Sequence, residues 1–339
     1  MLIRSRAPLR LGLAGGGTDV SPYSDIYGGA ILNATISSYA YTSIEPSNDN
    51  IIEIISIDQK KSIQYKAETS LEIDGNFDLV KGVYNRIIKE FVKKPLSFTI
   101  YTYADAPAGS GLGTSSTMVV SIIGAFTEWL QLPLGEYDIA QLAFEIERLE
   151  LKQAGGKQDQ YSATFGGFNY MEFYSNKTIV NPLRIKKEII DELQYNLILY
   201  YTGTSRLSSK IIESQIQSVE EGKSQSIEAM HNLKEQSVLM KEAILTGNLD
   251  KVGEILNYGW QNKKKMANNI SNPIIDEIYE YALKAGSTGG KISGAGGGGF
   301  MMFYCPKNTK YKVIEALNKF GGEVWNYHFA KYGLKAWKI

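Results

Sequence analysis

The order of elements readable in this 339-residue sequence is compatible with an α+β chain that has room for two domains. Three observations carry that reading. Strand-like runs rich in Ile, Thr, Tyr and Ser crowd the first hundred residues, a Lys, Glu and Gln-rich stretch with periodic Ile, Leu and Met fills residues 207–283, and strands return after residue 300. Residues 30–44, 51–57 and 97–103 alternate in part, as half-buried strands do. Residues 77–94 and 137–153 place apolar side chains near helical spacing, and 117–130 reads as a buried helix. Residues 196–201, 300–304 and 323–327 read as strands, with a helix over 310–320. A boundary near residue 190, separating 1–190 from 191–339, fits this change of character, although no Pro, Gly or Ser-rich linker marks it. Tandem repeats are absent, and the only biased stretches are glycine loops.

Composition narrows the function classes. Lys plus Arg equals Asp plus Glu at 36 each, so no global field draws the chain to nucleic acid or to an anionic membrane. One cysteine, Cys305, excludes an internal disulfide and fits a reducing compartment. Its place at the end of a strand-like run marks a packed thiol rather than a nucleophile. No segment has the uninterrupted apolar length of a membrane span, and Arg4 and Arg6 run straight into a functional-looking loop rather than a signal peptide, so a cytoplasmic protein is expected. A homo-oligomer remains open.

Three glycine clusters, far apart in sequence, are alike in kind: Ala14-Gly15-Gly16-Gly17-Thr18-Asp19, Pro107-Ala108-Gly109-Ser110-Gly111-Leu112-Gly113-Thr114-Ser115-Ser116, and Lys291-Ile292-Ser293-Gly294-Ala295-Gly296-Gly297-Gly298-Gly299. Such density points to bare backbone approaching a ligand, with a phosphorylated molecule the leading candidate. The middle cluster lies between a strand and a helix, where successive N–H groups and the positive helix end form an anion site. Thr114, Ser115 and Ser116 add hydroxyls that can cap the helix, bind a phosphate oxygen or ligate magnesium; a plain capped turn would look the same. The loop lacks the lysine that closes a P-loop, which disfavours a Walker-type NTPase. In the third cluster Gly294, Gly296 and Gly299 satisfy the dinucleotide fingerprint. A strand-like run follows them where that fingerprint requires a helix, so the dehydrogenase reading fails on context.

Taken in order, the three clusters resemble the signature of the GHMP kinases, the superfamily of galactokinase, homoserine kinase and mevalonate kinase. The match extends from Ala7-Pro8-Leu9-Arg10 to Gly299, nearly the whole chain. The stretch from Arg6 to Tyr23, with Gly156-Lys157-Gln158-Asp159-Gln160-Tyr161, is similar to the branch holding heptose 7-phosphate kinases and fucokinase-like enzymes. Galactokinase carries Gly-Glu-His-Thr-Asp where this chain has Gly15-Gly16-Gly17-Thr18-Asp19, a departure that speaks against galactose. The resemblance implies an N-terminal domain like ribosomal protein S5 domain 2, a ferredoxin-like C-terminal domain, and an active site between them.

Roles follow from the same resemblance. It assigns the ATP phosphates to Pro107, Gly109, Ser110, Gly111, Leu112, Gly113, Thr114, Ser115 and Ser116, and magnesium to Ser115 and Glu147. It makes Asp159 the base or orienting carboxylate at the attacking hydroxyl and Arg10 the cation near the transferred group. The sugar falls to Gly16, Gly17, Thr18, Asp19, Gly294 and Gly296. Lys157 and Arg206 are the candidate cations for a phosphate already on the substrate, Arg206 lying in a Thr-Gly-Thr-Ser-Arg stretch suited to a phosphate monoester. Solvated or capping roles compete for several of these: Glu147 on a helix face beside Glu145 and Glu150, Asp159 as an N-cap, Asp19 in an Asx turn. His231 and His328 lie outside every motif and read as structural. The expectation is an ATP- and magnesium-dependent kinase for the anomeric hydroxyl of a heptose 7-phosphate, with a fucokinase-like hexose 1-kinase as the nearest rival. A catalytically silent sugar-binding protein of the same fold is the rival from another class.

Overall fold

The computed structural model describes residues 1–204 and 208–339. An eight-stranded sheet dominates the N-terminal part. Its main path runs Lys335–Lys338, Ile3–Ala14, Gly29–Ser47, Ser97–Ala104, Ile51–Ser56, Lys61–Lys66, and the long Gly29–Ser47 strand also carries Phe168–Phe173, which pairs with Thr178–Pro182. Every pairing is antiparallel except Ile51–Ser56 with Ser97–Ala104. Against one face lie Asp78–Ile87 and Thr114–Leu130, whose Val83, Tyr84, Val119, Ile123 and Phe126 bury against Ile44, Ile54, Phe98 and Ile100. Continuous apolar runs such as Val119-Val120 and Ile122-Ile123 explain why Thr114–Leu130 sits inside rather than on the surface.

A second sheet of four antiparallel strands, in the order Glu323–Val324, Leu197–Tyr201, Phe300–Tyr304, Gly289–Ile292, is built from the C-terminal part. Helices Ser208–Glu220, Ser224–Thr246, Asp250–Met266 and Pro273–Lys284 account for the periodic stretch read from sequence. One apolar cluster joins the two halves: Leu9, Leu11, Leu13 and Leu32 pack with Leu199, Ile244, Leu256 and Phe300. The second sheet begins at Leu197, close to the expected boundary. Lys335–Lys338 crosses back to pair with Ile3–Arg6 at the edge of the first sheet. The strand expected over 323–327 is only two residues long. Ile3–Ala14, almost wholly buried, is a strand that the sequence reading treated only as an approach to a loop.

Candidate active site

The three glycine clusters meet around a cleft of about 610 Å³. Each arrives from a different element. The first follows the buried Ile3–Ala14 strand, the second links Ser97–Ala104 to Thr114–Leu130, and the third links Gly289–Ile292 to Phe300–Tyr304. Helix Ser208–Glu220 closes another side, where Gln215 Nε2 donates to Gly17 O at 2.7 Å.

Arg10 ties the clusters together. Its guanidinium contacts Asp159 Oδ1 through Nε at 2.7 Å and a second nitrogen at 2.6 Å, donates to Gly111 O at 2.6 Å, and reaches Ser293 Oγ at 3.5 Å. Asp159 stands in the first turn of Gln158–Phe165, so the helix start adds its own favourable field. Burial pushes the Asp159 carboxyl up, but the charge of Arg10 and hydrogen bonds from Gln158 and Arg10 outweigh it and hold the group below the usual carboxylate range. Gly113 makes this approach possible. Its φ of 80° suits glycine, and a Cβ there would lie 3.0 Å from Asp159 Cγ.

The second loop presents Gly109, Gly111, Gly113, Thr114, Ser115 and Ser116 to the cleft. Among the described residues no side chain caps the start of Thr114–Leu130, which leaves its first N–H groups available to an anion. Ser115 Oγ donates to Glu147 Oε1 at 2.7 Å. The other oxygen, Glu147 Oε2, accepts from Gln160 Nε2 at 2.7 Å, and Arg148 lies 3.3 Å from Oε1. A hydroxyl beside one carboxylate suits magnesium, which takes one or two protein oxygens and fills its octahedron with phosphate and water; Arg148 would have to share that carboxylate.

Beyond Arg10 and Asp159 the cleft is polar and crowded with charge. Asp19 accepts from Gln158 N at 3.0 Å and is pushed up by burial, against that hydrogen bond and helped by the charge of Asp159. A Cβ on Gly156 would overlap the Asp19 carboxylate. Gln158 donates from Nε2 to Asp159 Oδ1 at 3.1 Å, while its Oε1 is buried without a partner and lines the cleft. Two buried lysines complete the wall. Lys291 Nζ donates to Gly12 O at 2.6 Å, and Lys263 Nζ to Gly16 O at 3.4 Å. Burial, opposed by Asp19 and reinforced by Arg10, pulls Lys263 down to about 8; burial together with the charges of Lys263 and Arg10 carries Lys291 well below its ordinary value.

The residues singled out from sequence therefore divide. Arg10, Asp159, Gly16, Gly17, Asp19, Gly109, Gly111, Gly113, Thr114, Ser115, Ser116, Glu147 and Gly294 all line the cleft. Pro107, Ser110, Leu112, Thr18 and Gly296 do not. Ser110 and Leu112 are fully buried and give their carbonyls to Phe300 N and Arg10 N. Thr18 turns inward and donates to Gly15 O and Ala30 O. Gly296 faces Ile270. Lys157, expected as a substrate cation, does not line the cleft: its ammonium donates to Tyr174 O at 2.9 Å and lies over the Phe144 ring. Arg206 lies outside the described residues. Sequence reasoning missed Gln158, Gln215, Lys263 and the side chain of Lys291. Lys291 stood at the head of a quoted motif, but Lys263 sits in a Lys263-Lys264-Lys265 run that reads as a solvated face.

Comparison with known proteins places this geometry. The GHMP kinases N terminal domain profile matches residues 78–167 and the GHMP kinases C terminal profile matches 240–323. The chain is 49% identical over 338 residues to a D-glycero-alpha-D-manno-heptose 7-phosphate kinase of Campylobacter jejuni, covering 99% of each. A crystal structure of a D-glycero-D-manno-heptose 1-phosphate kinase from Bacteroides thetaiotaomicron superposes with a TM-score of 0.84 at 50% identity, over 99% of both chains. An L-fucokinase/L-fucose-1-P guanylyltransferase of Bacteroides fragilis is 27% identical over 335 residues, 88% of this chain and 34% of that protein. The chain belongs to the GHMP kinases. It is an enzyme, a phosphotransferase of the two-domain fold that the three motifs implied.

Proposed function

We propose that this carbohydrate kinase transfers the γ-phosphoryl group of ATP to the anomeric hydroxyl of D-glycero-D-manno-heptose 7-phosphate, giving a 1,7-bisphosphate that feeds nucleotide-activated heptose synthesis. The observation that carries the chemistry is the Arg10–Asp159 pair, 2.6 Å apart, set against Gly113 at the open start of a helix. The substrate is supported by the 49% identity to a protein named for that activity. ATP would lie along Gly109 to Ser116, its phosphates meeting backbone N–H groups, and Ser115 with Glu147 would hold the magnesium ion, which neutralises phosphate charge. Asp19 and Gln158 Oε1 offer acceptors for sugar hydroxyls.

Asp159 acts chiefly by orientation. A carboxylate held below its usual range by Arg10 is a weak base, and a loose phosphoryl-transfer transition state needs little deprotonation of the nucleophile before bond formation. Arg10, shared between Asp159 and Gly111 O, stands where charge develops on the transferred group. The L-fucokinase likeness keeps a second reading alive, a 1-kinase for an unphosphorylated hexose. Either reading fits a cytoplasmic enzyme supplied with ATP. ADP release from the purified protein, followed over heptose 7-phosphate, unphosphorylated heptose and fucose, decides between them. Highest kcat/KM on heptose 7-phosphate is expected; equal efficiency on all three refutes the proposal.

A further inference from the structure

Burying an ammonium group away from water is costly unless a counter-charge accompanies it. Lys263 and Lys291 are buried to 3% and 4% exposure, and neither forms an ion pair among the described residues. Among the described residues each has a single carbonyl partner, Gly16 O and Gly12 O respectively. Arg10 does not change this, because its charge is already matched by Asp159. Asp19 is the one carboxylate whose charge is felt by Lys263, and it leaves Lys291 unmatched. Two buried amines thus line the cleft without a carboxylate paired to either among the described residues.

Position tells which anion the two amines would receive. Both nitrogens flank the same face of Gly16: from the point where a Cβ would stand, Lys291 Nζ is 3.8 Å away and Lys263 Nζ 4.0 Å. These distances bound the separation of the nitrogens at about 8 Å, a span that one phosphate group covers with charge-assisted bonds of ~2.8 Å on either side. They reach the first loop, on the side of Asp19. The nucleotide loop meets the Arg10–Asp159 pair through Gly111 and Gly113. Lys157 is turned toward Tyr174 O.

We propose that Lys263 and Lys291 clamp the phosphate monoester carried by the sugar substrate, so that this pair selects an already phosphorylated acceptor. The inference rests on the heptose 7-phosphate reading above and assigns the residues that enforce it. Removing Lys263 leaves the nucleotide loop and the Arg10–Asp159 pair in place, so its effect is confined to one substrate.

Steady-state kinetics of Lys263→Met test this with heptose 7-phosphate, unphosphorylated heptose and ATP varied in turn. KM for heptose 7-phosphate is expected to rise at least ~10-fold, with KM for ATP unchanged and the preference for phosphorylated over unphosphorylated sugar reduced by the same factor. Lys263→Arg, which keeps the charge, should recover part of that preference. Equal losses on both sugars, or a raised KM for ATP, would assign the lysines to the transferred phosphate and overturn the clamp. Because Lys291 also braces Gly12, Lys291→Met is read by equilibrium binding, with unchanged ADP affinity certifying the fold; undiminished affinity for heptose 7-phosphate overturns the clamp. A wild-type enzyme inactive on heptose 7-phosphate refutes the substrate reading, whereas activity with a KM indifferent to Lys263→Met refutes the clamp alone.

Discussion

Replacing Lys263 by Met should make the ligand-free protein more stable. Lys263 is depressed from 10.5 to about 8, which at 1.36 kcal/mol per unit corresponds to about 3 kcal/mol of folding free energy. The folded chain releases this proton near pH 8 and the unfolded chain near 10.5. Between those values the unfolded state binds more protons, so stability rises with pH; below pH 8 the whole penalty is present. Met matches the length of the buried stem and removes the charge, giving up a 3.4 Å contact to Gly16 O and the attraction of Asp19, which is already counted in the net shift. Lys263→Met should therefore gain up to about 3 kcal/mol at pH 7, and the gain should shrink as pH climbs toward 10.5. Urea unfolding midpoints of both proteins at pH 7 and 9.5, compared at a common slope, measure it. Groups remote from Lys263 are common to both proteins and cancel in the comparison, whereas Lys291, which the charge of Lys263 helps to lower, is relieved in the variant and adds to its gain at pH 7. A variant less stable than wild type at both pH values, or a gap that widens with pH, would mean that the ammonium supports the fold, and the argument from missing counter-charge would fall.

Asp159→Asn should lower turnover by at least ~10²-fold while ATP still binds, because the positioned carboxylate at the hydroxyl is lost; near-wild-type turnover in folded protein removes Asp159 from the mechanism. Ser115→Ala and Glu147→Gln should each raise the magnesium concentration for half-maximal rate, and an unchanged requirement in both would show that the metal lies elsewhere. Gly113→Val combines a φ of 80° with a Cβ 3.0 Å from Asp159 Cγ, so KM for ATP and turnover should both suffer; calorimetric ATP titration showing wild-type affinity contradicts the placement of that loop.

Much of the site could be read from sequence because its chemistry is local. Gly109 to Ser116 announce a backbone cradle by composition, and Asp159, just after two glycines, sits as expected at the start of an element. What stayed hidden depends on tertiary direction. Lys157 and Lys263 are both lysines beside polar neighbours; only the packed structure shows that one reaches Tyr174 O and the other the first loop. Lys264 and Lys265 give the run a solvated look, yet the helix turns Lys263 alone of the three fully inward. Ser110 and Leu112 illustrate the opposite error. Both lie in the middle of a phosphate motif, but their side chains are buried and their carbonyls hold other segments. The sequence reading also had no means of pairing residues 335–338 with residues 3–6, since that contact joins the two ends of the chain and leaves no local pattern.

The four contacts of Arg10 have a consequence for synthesis. Its guanidinium, placed by the tenth residue, needs Gly111 and Asp159 from the middle of the chain and Ser293 from near the end. A ribosome delivers these over an interval set by a sequence separation of 283 residues, during which the early sheet can fold but its arginine lacks one of its fixed neighbours. Proofreading comes free with such wiring. A nascent or truncated chain that never supplies Ser293 lacks the full set of restraints that aim the cation, so phosphoryl transfer itself becomes a reporter that the distant halves have closed on one another.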